Sequence, residues 1–230
     1  MATIYLIRHG QAQFGMEDYD ALSPTGIGQA KLLGKSLQQR GIIPTKIISG
    51  AMKRHQQTMQ YCLENMQLQQ LPAQMMEEWN EFDHRDVLNK YEPRYTDLNE
   101  LKKDIFLDSN PKAKITEVLT GAITRWVGGQ QLDYNESWVD FSARILSGLN
   151  KVKDASAKDD TVLVFTSGGS ISVVMQHILE LPLQKTFELQ LNIANCSVTK
   201  IKTSSLGWRL LTFSDHAHFT GENSKWLTYK

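Results

Sequence analysis

Arg8-His9-Gly10 sets an imidazole directly beside a cation, and a second arginine, Arg54, stands in a later basic segment. A neutral imidazole held near a phosphate by two guanidinium groups can attack phosphorus directly, giving a phosphohistidine that water or a second acceptor later discharges. Arginine suits the clamp because its planar fork pairs bidentately with phosphate oxygens and stays charged at any relevant pH. Arg8 and Arg54 are the natural clamps for His9, and the route calls for no metal ion and no cofactor. The leaving alkoxide needs a proton, so a carboxylic acid close to the phosphate is the expected further component. Candidates lie in Glu77-Glu78-Trp79-Asn80-Glu81-Phe82-Asp83-His84, where spacing alone does not choose among four acids and a histidine.

These groups can cooperate only if the chain brings them to one place, and the element pattern says that it does. Ile4-Tyr5-Leu6-Ile7 is a short apolar run ended by a charged pair and Gly10, as expected of a central strand buried on both faces. Ser23-Pro24 supplies an N-cap and a first-turn proline, Ile27, Ala30, Leu33 and Leu37 form an apolar stripe, and Gly41 closes the helix. Lys46–Ser49 reads as a second strand, followed by helical spacing of Met52, His55, Met59, Cys62 and Met66. The pattern from about 72 to 131 is irregular, with short helices expected at Leu98–Phe106 and Ile115–Val127. Ser137 is placed to cap a helix carrying Trp138, Phe141, Ile145 and Leu149. Thr161–Thr166 is another buried strand, turned by Gly168-Gly169 into the helix Ile171–Glu180. Ser197–Lys202 and Trp208–Phe213, separated by Ser204 to Gly207, read as a hairpin.

Alternating strands and helices predict an α/β fold: three layers, α/β/α, with a mostly parallel sheet, helices on both faces, and a helical insertion at 72–131 over the active face of a single domain. Ligands of such sheets bind beyond the carboxyl ends of the strands. Arg8-His9-Gly10, Ser49 to Arg54, and Thr166 to Gly169 each follow a strand, so all three are expected on the same edge.

Lys+Arg and Asp+Glu both number 25, which gives no sign of a nucleic-acid footprint or of attraction to an anionic membrane. Cys62 and Cys196 are too few for a disulfide framework and lack the spacing of a zinc site, so a reducing cytoplasm is expected. The first residues show no signal-peptide core and no stretch has the length of a membrane span, so a soluble, unprocessed protein is expected.

Leu6-Ile7-Arg8-His9-Gly10 resembles the nucleophile signature of the histidine phosphatase superfamily, whose members include cofactor-dependent phosphoglycerate mutases and many small phosphatases. Leu22-Ser23-Pro24-Thr25-Gly26 with Gln29-Ala30 resembles that family's next block, and Ser49 through Thr58 resembles the segment carrying the second phosphate arginine, here Arg54. Trp79-Asn80-Glu81-Phe82-Asp83 is similar to the segment with the proton-donating glutamate, which selects Glu81. Glu136-Ser137 followed by Arg144 resembles a further block of structural meaning. The resemblance implies a phosphoglycerate mutase-like fold, with Gln11 and Gly168 among the substrate contacts.

One departure stands out. Where the family usually has His-Gly-Gly, this chain has Ser167-Gly168-Gly169. Losing one donor to the transferring phosphoryl group typically costs on the order of 10²–10³ in rate. Three compensations are expected: the Ser167 hydroxyl, the amides after Gly168 at a helix N-terminus, and a histidine from elsewhere. His84 is preferred for the last, with His216 behind it. His55, on the apolar stripe, and His177 read as core residues, and His216 and His218 lack further ligands for a metal pair.

The leading expectation is a phosphatase acting on a phosphorylated small molecule or phosphoprotein. The nearest rival is a mutase, disfavoured because Gly10 to Gly15 lacks the longer block typical of the glycolytic mutases. The rival from another class is a binding protein that holds a phosphorylated ligand without turning it over. Substrate choice is assigned to the insertion, where Trp79, Phe82, Tyr91, Tyr95, Phe106 and Trp126 offer apolar walls and Arg85, Lys90 and Arg94 offer charge. A homodimer is compatible with the sequence, which does not fix the oligomeric state.

Overall fold

The computed structural model describes residues 1–13, 20–129, 133–204 and 207–229. Phe14 and Gly15 of the loop after His9, the last residues of the expected insertion, and two turn residues of the hairpin lie outside them. The chain divides into two compact units, one of residues 1–81 with 144–230 and the other of residues 82–143.

The first unit is built on a six-stranded sheet. Its strands are β1 (Thr3–Arg8), β2 (Lys46–Ser49), β3 (Ala73–Met75), β4 (Thr161–Thr166), β5 (Val198–Ser204) and β6 (Gly207–Asp215), in the order β3-β2-β4-β1-β5-β6. The first four are mutually parallel, whereas β5 and β6 form the antiparallel hairpin expected near the C-terminus. The sheet is therefore mixed, with its parallel half carrying the motifs. β1 and β4 are apolar without alternation because both faces are covered, and Ile4, Leu6, Ile7 and Val162 to Phe165 are all buried.

Helix α1 (Pro24–Gln39) begins as its sequence says, with the Ser23 hydroxyl accepting from the Gly26 amide at 3.1 Å and Pro24 at the first position. It ends at Gly41, whose φ of +67° is the left-handed conformation that favours glycine. Helix α2 (Lys53–Met66) packs against α1, and Leu33, Leu37, Cys62, Leu63 and Met66 join Tyr5, Ile7, Leu163 and Phe165 in one apolar core. Burying several such side chains contributes roughly 1.5–3 kcal/mol each, which is what holds both helices on the sheet.

The segment 72–81 belongs with the sheet, not with the insertion. Ala73–Met75 adds an edge strand beside β2, and the Met76 amide donates to Ser49 O at 2.9 Å. The second unit contains α3 (His84–Tyr91), α4 (Leu98–Phe106), α5 (Pro111–Val127) and the first turns of α6 (Trp138–Ala155). Asp83 caps α3, a helix that the charged sequence hid. Phe82, Trp126, Trp138 and Phe141 form its aromatic centre, with Phe82 and Trp126 ring centroids 4.6 Å apart. Four residues expected as pocket walls are thus core: Trp126 is 1% exposed, Phe82 and Tyr95 are buried, and Trp79, in the first unit, is fully buried. Phe106, by contrast, is 75% exposed.

Beyond β4, the remaining helices of the first unit are α7 (Gly168–Leu179) and α8 (Leu183–Leu191), which pack together. No described helix is long and apolar enough to cross a membrane.

Candidate active site

Register decides where the motifs meet. Arg8 pairs with Thr166 and Ser49 with Phe165, so β1, β2 and β4 end level with one another. The chain leaving each strand is tied to β4: the His9 amide donates to Thr166 O at 2.8 Å and the Gly50 amide to Phe165 O at 2.9 Å. The expected common edge is present.

His9 is held from every side of its peptide unit. Its carbonyl accepts from Asn195 Nδ2 at 3.1 Å, and the next amide, Gly10 N, donates to Thr58 Oγ1 at 3.0 Å. Gly10 must be glycine, because a methyl group there would lie 2.6 Å from the carbonyl oxygen of Gly26. The ring Nδ1 contacts Gly10 O at 2.7 Å, and an acceptor there fixes the proton on Nδ1. Nε2 is left with the lone pair, the atom a nucleophile needs. Burial, then the charges of Arg54 and Arg8 and the ring of His55, hold the His9 pKa well below the ordinary imidazole value of 6.5, against the opposing effect of Gly10 O. The ring is therefore neutral at neutral pH.

Arg54, 3% exposed, sits in the first turn of α2, and its Nη1 meets Asp20 Oδ1 at 2.6 Å. The other Asp20 oxygen accepts from the Lys53 amide at 2.7 Å, supplying the cap that Met52 cannot give α2. Arg8 reaches the other way. Its Nη1 donates to the carbonyls of Ile193 and Tyr229, and its guanidinium lies against Gly168, where an added methyl would be 3.5 Å from Nε.

Glu81 follows the 3₁₀ turn Glu77–Trp79, and its Oε2 accepts from the Gly169 amide at 2.9 Å at the start of α7. A methyl group at Gly169 would fall 2.1 Å from Glu81 Oε1, so the second glycine makes room for the carboxylate. The same contact means that one of the amides expected to await an anion is already engaged. Arg144 holds this segment from below, donating from Nη1 to the carbonyls of Glu77, Glu78 and Asn80 at 3.0–3.2 Å, and Thr166 Oγ1 donates to Trp79 O at 2.6 Å. Glu77 and Glu78 make no such contact with α7 in this unit; Glu78 pairs with Lys151.

The largest surprise is His55. It is fully buried, as a core histidine would be, yet its Nε2 lies 2.6 Å from Ser167 Oγ and its ring centroid 5.6 Å from that of His9. Burial, and after it Arg54, keep it neutral too. The alternatives fare differently: His84 opens α3 in the other unit, edge-on to Phe82, and His216 is engaged through Nδ1 with Ser214 O at 2.5 Å. Gln11 is oriented by Ser23, whose hydroxyl donates to its side-chain oxygen at 2.9 Å, while Gln29 Oε1 accepts its amide at 2.8 Å. Asp20, Gln29, Thr58 and Asn195 carry no role that the sequence predicts, although Gln29 and Thr58 lie inside recognised blocks. Among the described residues no three His, Cys, Asp or Glu side chains are grouped to hold a metal ion, the His216 and His218 pair included.

The buried histidines carry a stability consequence. Unfolded, His9 and His55 take up protons near 6.5; folded, they do so only well below it. The unfolded chain binds more protons in that window, so the stability present above 6.5 is lost as pH falls toward the depressed folded values. Each histidine contributes a slope of up to about 1.4 kcal/mol per pH unit. Urea midpoints measured from about pH 7 down to about pH 5 should decrease steadily; a flat profile would mean the two rings titrate as exposed groups.

An arrangement of a neutral, oriented imidazole within the field of two guanidinium groups, with a carboxylate and a hydroxyl at the same strand ends, is competent for phosphoryl transfer. Comparison with known proteins agrees with the architecture. Bacillus stearothermophilus YhfR superimposes with a TM-score of 0.68 at 18% identity, covering 96% of this chain and 100% of that one. A phosphoglycerate mutase from Bacillus anthracis str. Sterne gives 0.63 at 21% identity over 94% of each chain. A phosphoserine phosphatase from Entamoeba histolytica, in complex with 3-phosphoglyceric acid, gives 0.64 at 18% identity, covering 96% of this chain and 100% of that one. The family model for the histidine phosphatase superfamily (branch 1) matches residues 4–216, and the chain belongs to that superfamily.

Proposed function

We propose that this protein is a phosphatase that hydrolyses a phosphomonoester through a phosphohistidine on His9, without a metal ion or cofactor. The observation that carries the reading is the Nδ1 contact with Gly10 O at 2.7 Å, which leaves the Nε2 lone pair of a buried, neutral ring for attack. His9 Nε2 forms a bond to phosphorus as the ester P–O bond breaks. Glu81 delivers its proton to the departing alkoxide, and Arg8 and Arg54 balance charge on the phosphoryl oxygens. In the second half, the Glu81 carboxylate takes a proton from water as its oxygen bonds to phosphorus, the P–N bond breaks, and His9 returns to its neutral form with inorganic phosphate released.

A phosphorylated small molecule or a phosphoprotein side chain is the substrate class this site would take, with Gln11 and Gly168 beside it. The mutase and phosphoserine phosphatase among the fold relatives support a small phosphorylated metabolite. A cytoplasmic setting fits two buried free thiols, Cys62 and Cys196. Protein treated with a chelator should release inorganic phosphate from p-nitrophenyl phosphate. Tight phosphate binding with no release would leave a phospho-ligand-binding protein as the better account, and transfer to an added hydroxyl acceptor in preference to water would favour a mutase.

A further inference from the structure

Ser167 occupies the N-cap position of α7, where a serine ordinarily turns its hydroxyl onto the amides of the first turn. It does not do so here: no side-chain capping bond is made, and Oγ lies instead 2.6 Å from His55 Nε2, with both residues fully buried. The pair stands at the end of β4, one residue beyond the carbonyl that holds the His9 amide. Room for the His55 ring comes from a third position, because a methyl group at Gly50 would lie 2.3 Å from His55 Nδ1 and 2.9 Å from Trp79 O.

The partners decide the tautomer. A neutral imidazole has one N–H and one lone pair, and His55 Nδ1 is buried with no hydrogen-bond partner. An orphaned buried N–H is rarer and costlier than an under-used acceptor, so the proton belongs on Nε2, donating to Ser167 Oγ. That leaves the Ser167 O–H itself free to donate elsewhere. Donation into Oγ also polarises that O–H, as in any hydrogen-bonded chain.

We propose that His55 is a positioning residue of the phosphoryl site: its Nε2–H withdraws the Ser167 hydroxyl from helix capping and points the Ser167 O–H at a phosphoryl oxygen on His9. Gly50, His55 and Ser167 then form one device, a small residue at 50 admitting the ring and a small residue at 167 receiving its proton donor. The inference rests on the phosphoryl-transfer reading of the His9 site. It replaces His84 and His216 as the source of the compensating histidine.

The test is a double-mutant cycle with two readouts. His55→Leu keeps volume but loses the N–H, and Ser167→Ala loses the hydroxyl. Each should lower kcat for p-nitrophenyl phosphate by on the order of 10²-fold with little change in KM, the effect of losing one transition-state donor. The double variant should be no slower than either single, because the two act as a unit. His55→Gln, whose amide nitrogen stands near the place of Nε2, should recover most of the rate, while His55→Asn should not. Orthovanadate affinity, measured by calorimetry, should follow the same order and needs no turnover. A His55→Leu protein with kcat and vanadate affinity within about twofold of wild type, or losses that multiply in the double variant, would overturn the proposal. Absence of turnover in wild type speaks against the phosphatase reading alone, since the vanadate series still decides whether His55 and Ser167 act together.

Discussion

Replacing His9 by alanine should lower hydrolysis of an aryl phosphate by on the order of 10⁴-fold or more, the scale seen when the attacking group of a covalent route is removed. The expectation comes from geometry more than from residue type. Thr58, Asn195 and Thr166 hold the peptide units around His9, Gly10 O fixes its tautomer, and burial together with the charges of Arg54 and Arg8 keeps it uncharged. All of that organisation serves one nitrogen. The variant should still fold, since removing the ring deletes a single side-chain hydrogen bond and relieves a buried group that resists protonation. It should also retain inorganic phosphate binding through the two arginines, which separates loss of chemistry from loss of the site. A His9→Ala protein with more than about a tenth of wild-type kcat would place the nucleophile elsewhere.

Glu81→Gln should cost about 10² to 10⁴ in kcat with an alkyl phosphate, the usual contribution of a positioned general acid. The loss should shrink with p-nitrophenyl phosphate, whose phenolate leaves without help. This dependence on the leaving group is the diagnostic feature, because Glu81 also accepts the Gly169 amide at 2.9 Å and glutamine can keep that bond through its carbonyl oxygen. If Glu81 served only to cap α7, both substrates would slow equally or not at all. Comparing kcat for the two leaving groups in wild type and variant is therefore sufficient.

Much of this site was legible because the signals were local. The apolar run before Arg8, the Ser23-Pro24 helix start and the glycine at 41 each act within a few residues, and each element formed where its residues say. What stayed hidden depends on distant partners. His55 falls on the buried face of α2, and a one-dimensional pattern cannot separate a ring that merely packs from one that packs and hydrogen-bonds. Its explanation lies in Gly50 and Ser167, the second more than a hundred residues away. Asn195 and Asp20 are polar residues in loops whose value appears only when the carbonyl of His9 and the guanidinium of Arg54 arrive beside them. Ala73–Met75 was missed for a different reason: an exposed edge strand of three residues needs no apolar alternation. Trp126 was misjudged as a pocket wall because an aromatic residue looks the same in sequence whether it lines a cleft or fills a core.

A covalent phosphoryl group at His9 is the intermediate on which the proposed hydrolysis depends, and rapid quenching tests it most directly. Mixing the protein with a ³²P-labelled phosphomonoester in the presence of chelator and quenching in base within the first turnover should trap label that is stable to alkali and lost in mild acid, on a peptide containing His9. Label absent from wild type during active turnover, or equally present in His9→Ala, would contradict the phosphohistidine route.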